Sequence, residues 1–200
     1  MSASTARRVP SAGADPSSAS HRGLLVAAIV VGVVVLDQAT KIWALDRLAD
    51  GPIVVVGDDI GFRLSRNSGG AFSIFQGFTP LLALLAIGLT VVLARAVSRT
   101  RDPLMLVALA LVLGGALGNL VDRLVREPGF LRGEVVDWIG VDRFPTFNLA
   151  DAAITVGAVL LLVAVLRMPD TEDEDDPAGS GAPDPAADAG GSGGSGGSGG

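Results

Sequence analysis

Cysteine is absent from this chain of 200 residues. That removes disulfides, thiolate nucleophiles and thiolate-held metals. Tyrosine is absent too, and histidine occurs once, as His21 in a polar leader. Ser–His catalysis and His-rich zinc sites are excluded with them. The side chains left for acid–base work are carboxylates, Lys and Arg. Charge is scarce as well, at 18% of residues, while 49% are hydrophobic. A mean hydropathy of +0.52 is too apolar for an ordinary soluble domain and fits a small multi-pass membrane protein.

The net charge of −6 belongs to the tail. Eight acids follow Arg167 without a single base, leaving 13 of the 21 acids against 15 Lys and Arg elsewhere. The body is slightly basic, and nothing in it resembles a nucleic-acid-binding patch.

Four apolar runs organise the chain. Residues 1–22, rich in Ser, Ala, Pro and Gly with Arg7, Arg8 and Arg22, read as a disordered leader. The first span covers about 23–45, because its uninterrupted apolar part is too short to cross alone and must carry Asp37 and Lys41 near its far end. A cleaved signal peptide is the rival reading. Three further spans, and no small-residue cleavage site before Asp37, weigh against it. The other spans are 79–97, 104–121 and 149–166, giving an all-α membrane protein with a four-transmembrane-helix bundle. Between the spans, 53–56, 62–65 and 134–139 read as short strands. From 168 to 200 the chain is an acidic, then Gly/Ser-rich tail, read as disordered, and its terminal repeats have the composition of a flexible linker.

Lys/Arg bias sets the topology. The leader arginines, the cluster Arg95, Arg99 and Arg101, and Arg167 share one side, expected to be cytoplasmic, with both termini there. Asp37, Asp122, Asp151 and the loop 46–78 then fall together on the other side.

Ionisable groups at membrane depth are functional suspects. Asp122 closes the third span in Gly118-Asn119-Leu120-Val121-Asp122-Arg123, and Asp151 opens the fourth in Asn148-Leu149-Ala150-Asp151. Two neighbouring carboxylates do not both ionise cheaply, so one keeps a proton while the other activates a water. No metal is needed for such chemistry. Each aspartate has an Asn three residues upstream, Asn119 and Asn148, whose amides can orient a carboxylate or hold a substrate backbone. The structural alternative pairs Asp122 with Arg123 or Arg126 and lets Asp151 serve its helix dipole. Asp37 and Lys41, four apart, form a natural helix-end ion pair, or Lys41 steadies a polar site. Asn67 in the turn Arg66-Asn67-Ser68-Gly69-Gly70-Ala71-Phe72 is either a substrate grip or part of an interfacial turn. Gly114 and Gly118 make a small-residue face for close helix packing.

These strings together resemble a known family. Asp37-Gln38-x-x-Lys41, Asn67-x-Gly69-x-Ala71-Phe72, Gly114-Gly115-Ala116-x-Gly118-Asn119-x-x-Asp122-Arg123 and Phe147-Asn148-x-Ala150-Asp151-x-x-Ile154 are similar, in order and in register with four spans, to the bacterial lipoprotein signal peptidases (signal peptidase II). Gly70, where many relatives carry alanine, is a small departure. The resemblance implies an aspartyl endopeptidase of the bacterial cytoplasmic membrane. Its substrate is a prolipoprotein, cut just before a diacylglyceryl-modified cysteine. It implies catalytic roles for Asp122 and Asp151, a site lined by Asn67, Asn119, Arg123 and Asn148, and support from Asp37 and Lys41. It also implies a small extracytoplasmic β-cradle, a short helix over the site, contact with membrane lipids, inhibition by globomycin-type peptides, and no cofactor. Two other classes remain: a small channel or carrier with a carboxylate relay, and a membrane scaffold in which both aspartates are helix ends.

Overall fold

The computed structural model describes residues 16–57, 59–68 and 79–168. Residues 1–15 of the leader, the tail from 169, and Gly69, Gly70, Ala71 and Phe72 of the glycine-rich turn lie outside the described residues. Four helices and four strands follow in the order α1 (Pro16–Arg47), β1 (Ile53–Val56), β2 (Ile60–Asn67), α2 (Thr79–Arg99), α3 (Pro103–Val125), β3 (Val135–Val141), β4 (Phe144–Phe147) and α4 (Leu149–Leu166). All four helices are long and apolar enough to cross a membrane. Several element ends differ from the expected ones by a few residues, and two differences are larger. Helix α1 begins at Pro16, so residues 16–22 of the expected leader are helical. Strand β4 was not foreseen, because four residues containing Pro145 are too short to show an alternating pattern.

Helix α3 is the hub, packed against α4, α1 and α2. It starts where Asp102 accepts a hydrogen bond from Met105 N (2.7 Å) and Pro103 takes a first-turn position whose N–H is not needed. Its buried face carries small residues that let neighbours close in. A Cβ on Gly118 would stand 2.7 Å from Asp37 Oδ2 and 3.3 Å from Ala150 Cβ, and one on Gly115 would collide with the carbonyl oxygen of Ala150. Glycine at these positions lets α1 and α4 approach α3 at the level of the aspartates. Toward the other end, Leu93, Leu109, Leu113 and Ala116 form an apolar core with Val30 and Leu161 packed on it.

The strands make one antiparallel sheet in the order β1-β2-β3-β4. Trp43 of α1, Phe62 of β2 and Trp138 of β3 meet edge to face, with ring centroids 5.2–5.7 Å apart. That aromatic cluster fastens the sheet to the end of α1. The β2–β3 register sets Ser65 opposite Asp137 and Asn67 opposite Val135. Residue 137 is thereby brought to the end of the bundle where Asp122 and Asp151 stand.

Candidate active site

Two polar layers occupy that end of the bundle. The deeper one is an ion-pair knot. Lys41 Nζ is 2.8 Å from Asp37 Oδ2 and 2.8 Å from Asp122 Oδ2, with all three side chains fully buried. Its third proton goes to Asn119 Oδ1 at 2.9 Å. Asp37 Oδ1 accepts from Ala150 N (3.0 Å) at the start of α4. Asp122 Oδ1 accepts from Arg126 Nε (2.6 Å) and Gln38 Nε2 (3.1 Å), and Oδ2 also accepts from Val136 N (3.2 Å). Two carboxylates thus face two cations, every member hydrogen-bonded, which is the condition for burying charge. The knot ties α1, α3, β3 and α4 together.

Asp122, expected to share a water with Asp151, stands in the deeper layer: its oxygens accept from Lys41, Arg126, Gln38 and Val136 N, and it is 0% exposed. The Arg126 partner, one of those weighed for a purely structural Asp122, is the one formed.

The upper layer contains the acid that the sequence reading passed over, Asp137 of β3. Asn148 Nδ2 donates to Asp137 Oδ1 at 2.6 Å, and Asn67 Nδ2 donates to Oδ2 at 3.2 Å. Asp151 stands across from it. Asn148 and Asp151 form a reciprocal capping box at the start of α4: Asp151 N donates to Asn148 Oδ1 (3.0 Å) and Asn148 N donates to Asp151 Oδ2 (3.2 Å). Asn119 Nδ2 donates to Asp151 Oδ1 at 2.8 Å. Asn119, Asn148 and Asn67 are therefore all brought to this layer. Arg123 lies beside it, electrostatically coupled to Asp122, Asp137 and Asp151. Its buried Nη1 has no hydrogen-bond partner among the described residues.

Asp137 is only 3% exposed. Burial pushes its carboxyl up to about 6, and the Asp151 carboxylate pushes the same way, against the opposing donors from Asn67 and Asn148. Two acids facing one space, one of them held toward its protonated form, is an arrangement that suits general acid–base chemistry. A groove of ≈ 510 Å³ opens over the pair, lined by Asn67, Asp137, Phe147, Asp151, Thr155 and Val156 among others. Its lower wall follows the side of α4, where Val156 and Val159 are exposed. One signal could have found Asp137: an acid inside the apolar strand string Val135-Val136-Asp137-Trp138-Ile139 has to be either paired or used.

Comparison with known proteins agrees with the motifs. The family profile for signal peptidase (SPase) II matches residues 29–167. The lipoprotein signal peptidase of Rhodococcus jostii is 44% identical over 159 residues, covering 78% of this chain and 80% of that protein. The one from Mycobacterium avium is 42% identical over 156 residues, covering 77% and 86%. A bacterial membrane enzyme solved by the in meso method at 2.3 Å superposes with a TM-score of 0.63 at 29% identity, covering 76% of this chain and 92% of the other. A second, solved at 1.9 Å, gives 0.64 at 30% identity, covering 72% and 94%. With its four apolar helices and its match to this family over residues 29–167, the chain is a multi-pass membrane protein of the signal peptidase II family.

Proposed function

We propose that this chain is an aspartic endopeptidase that removes the signal peptide of prolipoproteins, cutting before the diacylglyceryl-modified cysteine, with Asp137 and Asp151 as its working pair. The observation that carries the pair is the groove. Asp137 and Asp151 both line one cavity that Asp122 does not reach, and Asp122 is instead ion-paired to Lys41 and Arg126 in the knot.

The chemistry balances without a metal. Asp151 takes a proton from a water, whose oxygen attacks the scissile carbonyl carbon. Asp137 gives its proton to the carbonyl oxygen, forming a gem-diol. Asp151 then passes its proton to the leaving nitrogen as the C–N bond breaks, and a gem-diol hydroxyl returns a proton to Asp137. Asp137 is the acid of this scheme because burial favours its protonated form. A substrate segment that covers the groove removes more water and strengthens that preference. Asn67 and Arg123 are placed to receive the substrate backbone. The exposed side of α4 suits lateral entry from lipid, with the acylated cysteine setting depth.

Topology follows from charge. Arg22, Arg99 and Arg101 gather at the end of the bundle away from the site. By the positive-inside bias that end is cytoplasmic, with both termini there and the active site at the extracytoplasmic face. A channel or carrier is disfavoured. Among the described residues the buried charged groups sit at one end, and the core around Leu93, Leu109 and Leu113 is apolar. Globomycin-type peptides are expected to compete for the groove.

The test is a cleavage assay in detergent, where no gradient exists. A diacylglyceryl-modified precursor should be shortened to begin at the modified cysteine, and the same precursor without the lipid should be cut far more slowly. Failure to cut the lipidated precursor would refute the reading.

A further inference from the structure

We infer that Lys41, which touches neither carboxylate of the working pair, fixes the hydrogen-bond polarity of the amides that hold that pair. The inference rests on the reading of Asp137 and Asp151 given above. An ammonium has three protons and no lone pair. Lys41 Nζ spends its protons on Asp37 Oδ2 (2.8 Å), Asp122 Oδ2 (2.8 Å) and Asn119 Oδ1 (2.9 Å). The side of Asn119 facing Lys41 must therefore be its oxygen. The nitrogen of the same amide then faces Asp151 Oδ1, 2.8 Å away, and can only donate.

A second constraint arrives from the opposite direction. The backbone N–H of Asp151, also donor only, takes Asn148 Oδ1. Asn148 Nδ2 is left to donate to Asp137 Oδ1 (2.6 Å) and to Asn119 Oδ1 (3.1 Å). Both chains meet on Asn119 Oδ1 and agree, so each amide has one orientation. The consequence is a bias in proton placement. Asp151 meets N–H donors on both oxygens, one of them oriented by Lys41, and a carboxylate is the partner that can accept both. Without the ammonium, the longer contact from Asn148 Nδ2 (3.1 Å) is the one remaining hold on that orientation, and an Asn119 turned with its oxygen toward Asp151 is satisfied only by a protonated carboxyl. The base of the reaction would be lost in that state.

Among the described residues, Asp137 from β3 and Arg123 from α3 interact electrostatically with Asp151, and Lys41 from α1 with Asp137. Asp37 and Asp122 lie behind Lys41, with Arg126 on the far side of Asp122. Lys41 is thus a positioning residue, acting through Asn119.

The experiment uses full-length protein in detergent with a lipidated precursor. Lys41→Met alone strands two buried carboxylates, so the informative variant is Lys41→Met with Asp37→Asn, which removes the cation and one of its anions together. The expected result is a kcat lower by about 10- to 100-fold with KM within about threefold, and an acid limb of the pH–rate profile moved up by about one pH unit. Where that double variant does not fold, Asn119→Asp serves. It keeps the Lys41 contact, sets an acceptor against Asp151, and should move the same limb the same way. Leu113→Ala, remote from the site, controls for stability and should keep the wild-type profile. A folded variant of either kind with the wild-type profile would overturn the inference and leave the working pair standing. Full activity in Asp137→Asn would overturn both.

Discussion

Asn148 holds Asp137 at 2.6 Å with its amide nitrogen, while its amide oxygen caps the first turn of the helix that carries Asp151. One side chain thus sets the distance between an acid on a strand and an acid on a helix. Asn148→Asp keeps a good N-cap and adds a third carboxylate between the two. Because position 148 is fully buried and the Nδ2 donor to Asp137 is lost, it should melt below wild type despite the intact cap, and lose cleavage at neutral pH. Asn148→Ala should lose about 1 kcal/mol from the cap alone and most activity. Thermal melts beside precursor cleavage separate the two.

Asp122 should be a residue of stability. Asp122→Asn leaves Lys41 and Arg126 with one carboxylate fewer in a buried cluster. Breaking a buried pair costs about 3–5 kcal/mol. Folded yield and melting temperature should fall sharply, while activity per folded molecule falls by about tenfold or less, against about a thousandfold for Asp137→Asn. Size-exclusion profiles and active-site titration of the folded fraction measure this.

Asp137 carries a cost in stability. Its carboxyl is raised in the folded state from 3.8 to about 6. Between those values the folded chain binds more protons than the unfolded one, so stability falls as pH rises through that window. At about 1.4 kcal/mol per pH unit the effect is at most about 3 kcal/mol. Asp137→Asn should therefore be inactive yet more stable than wild type at pH 7, with the difference shrinking toward pH 4. Melts of the two proteins across that range test the sign.

Gly118→Ala should damage the fold, because its Cβ would meet Asp37 Oδ2 at 2.7 Å. Overpacking of this kind costs about 1–3 kcal/mol. Gly88→Ala, with nothing within 4 Å, should be neutral or slightly stabilising. Melting temperatures of both decide it.

Hydropathy was enough to find the four helices, because a span is a local property of about twenty residues. The three-residue spacing of Asn148 and Asp151 was equally local and legible, and the structure adds that it is a capping box. Asp137 was not, because its importance comes from the β2–β3 register and from the docking of the sheet by Trp43, Phe62 and Trp138, which join distant segments. Asp122 stands out in the sequence because it ends an apolar run beside conspicuous motif residues. What distinguishes it from Asp151 is the Lys41 contact, made across 81 positions of sequence. The i, i+4 spacing of Asp122 and Arg126 was the one local hint of its structural part.

The most direct measurement is cleavage of a lipidated precursor by three folded variants: Asp137→Asn, Asp151→Asn and Asp122→Asn. The expected result is no detectable product from the first two and measurable product from the third. Cleavage by folded Asp137→Asn at the wild-type rate would contradict the pairing of Asp137 with Asp151.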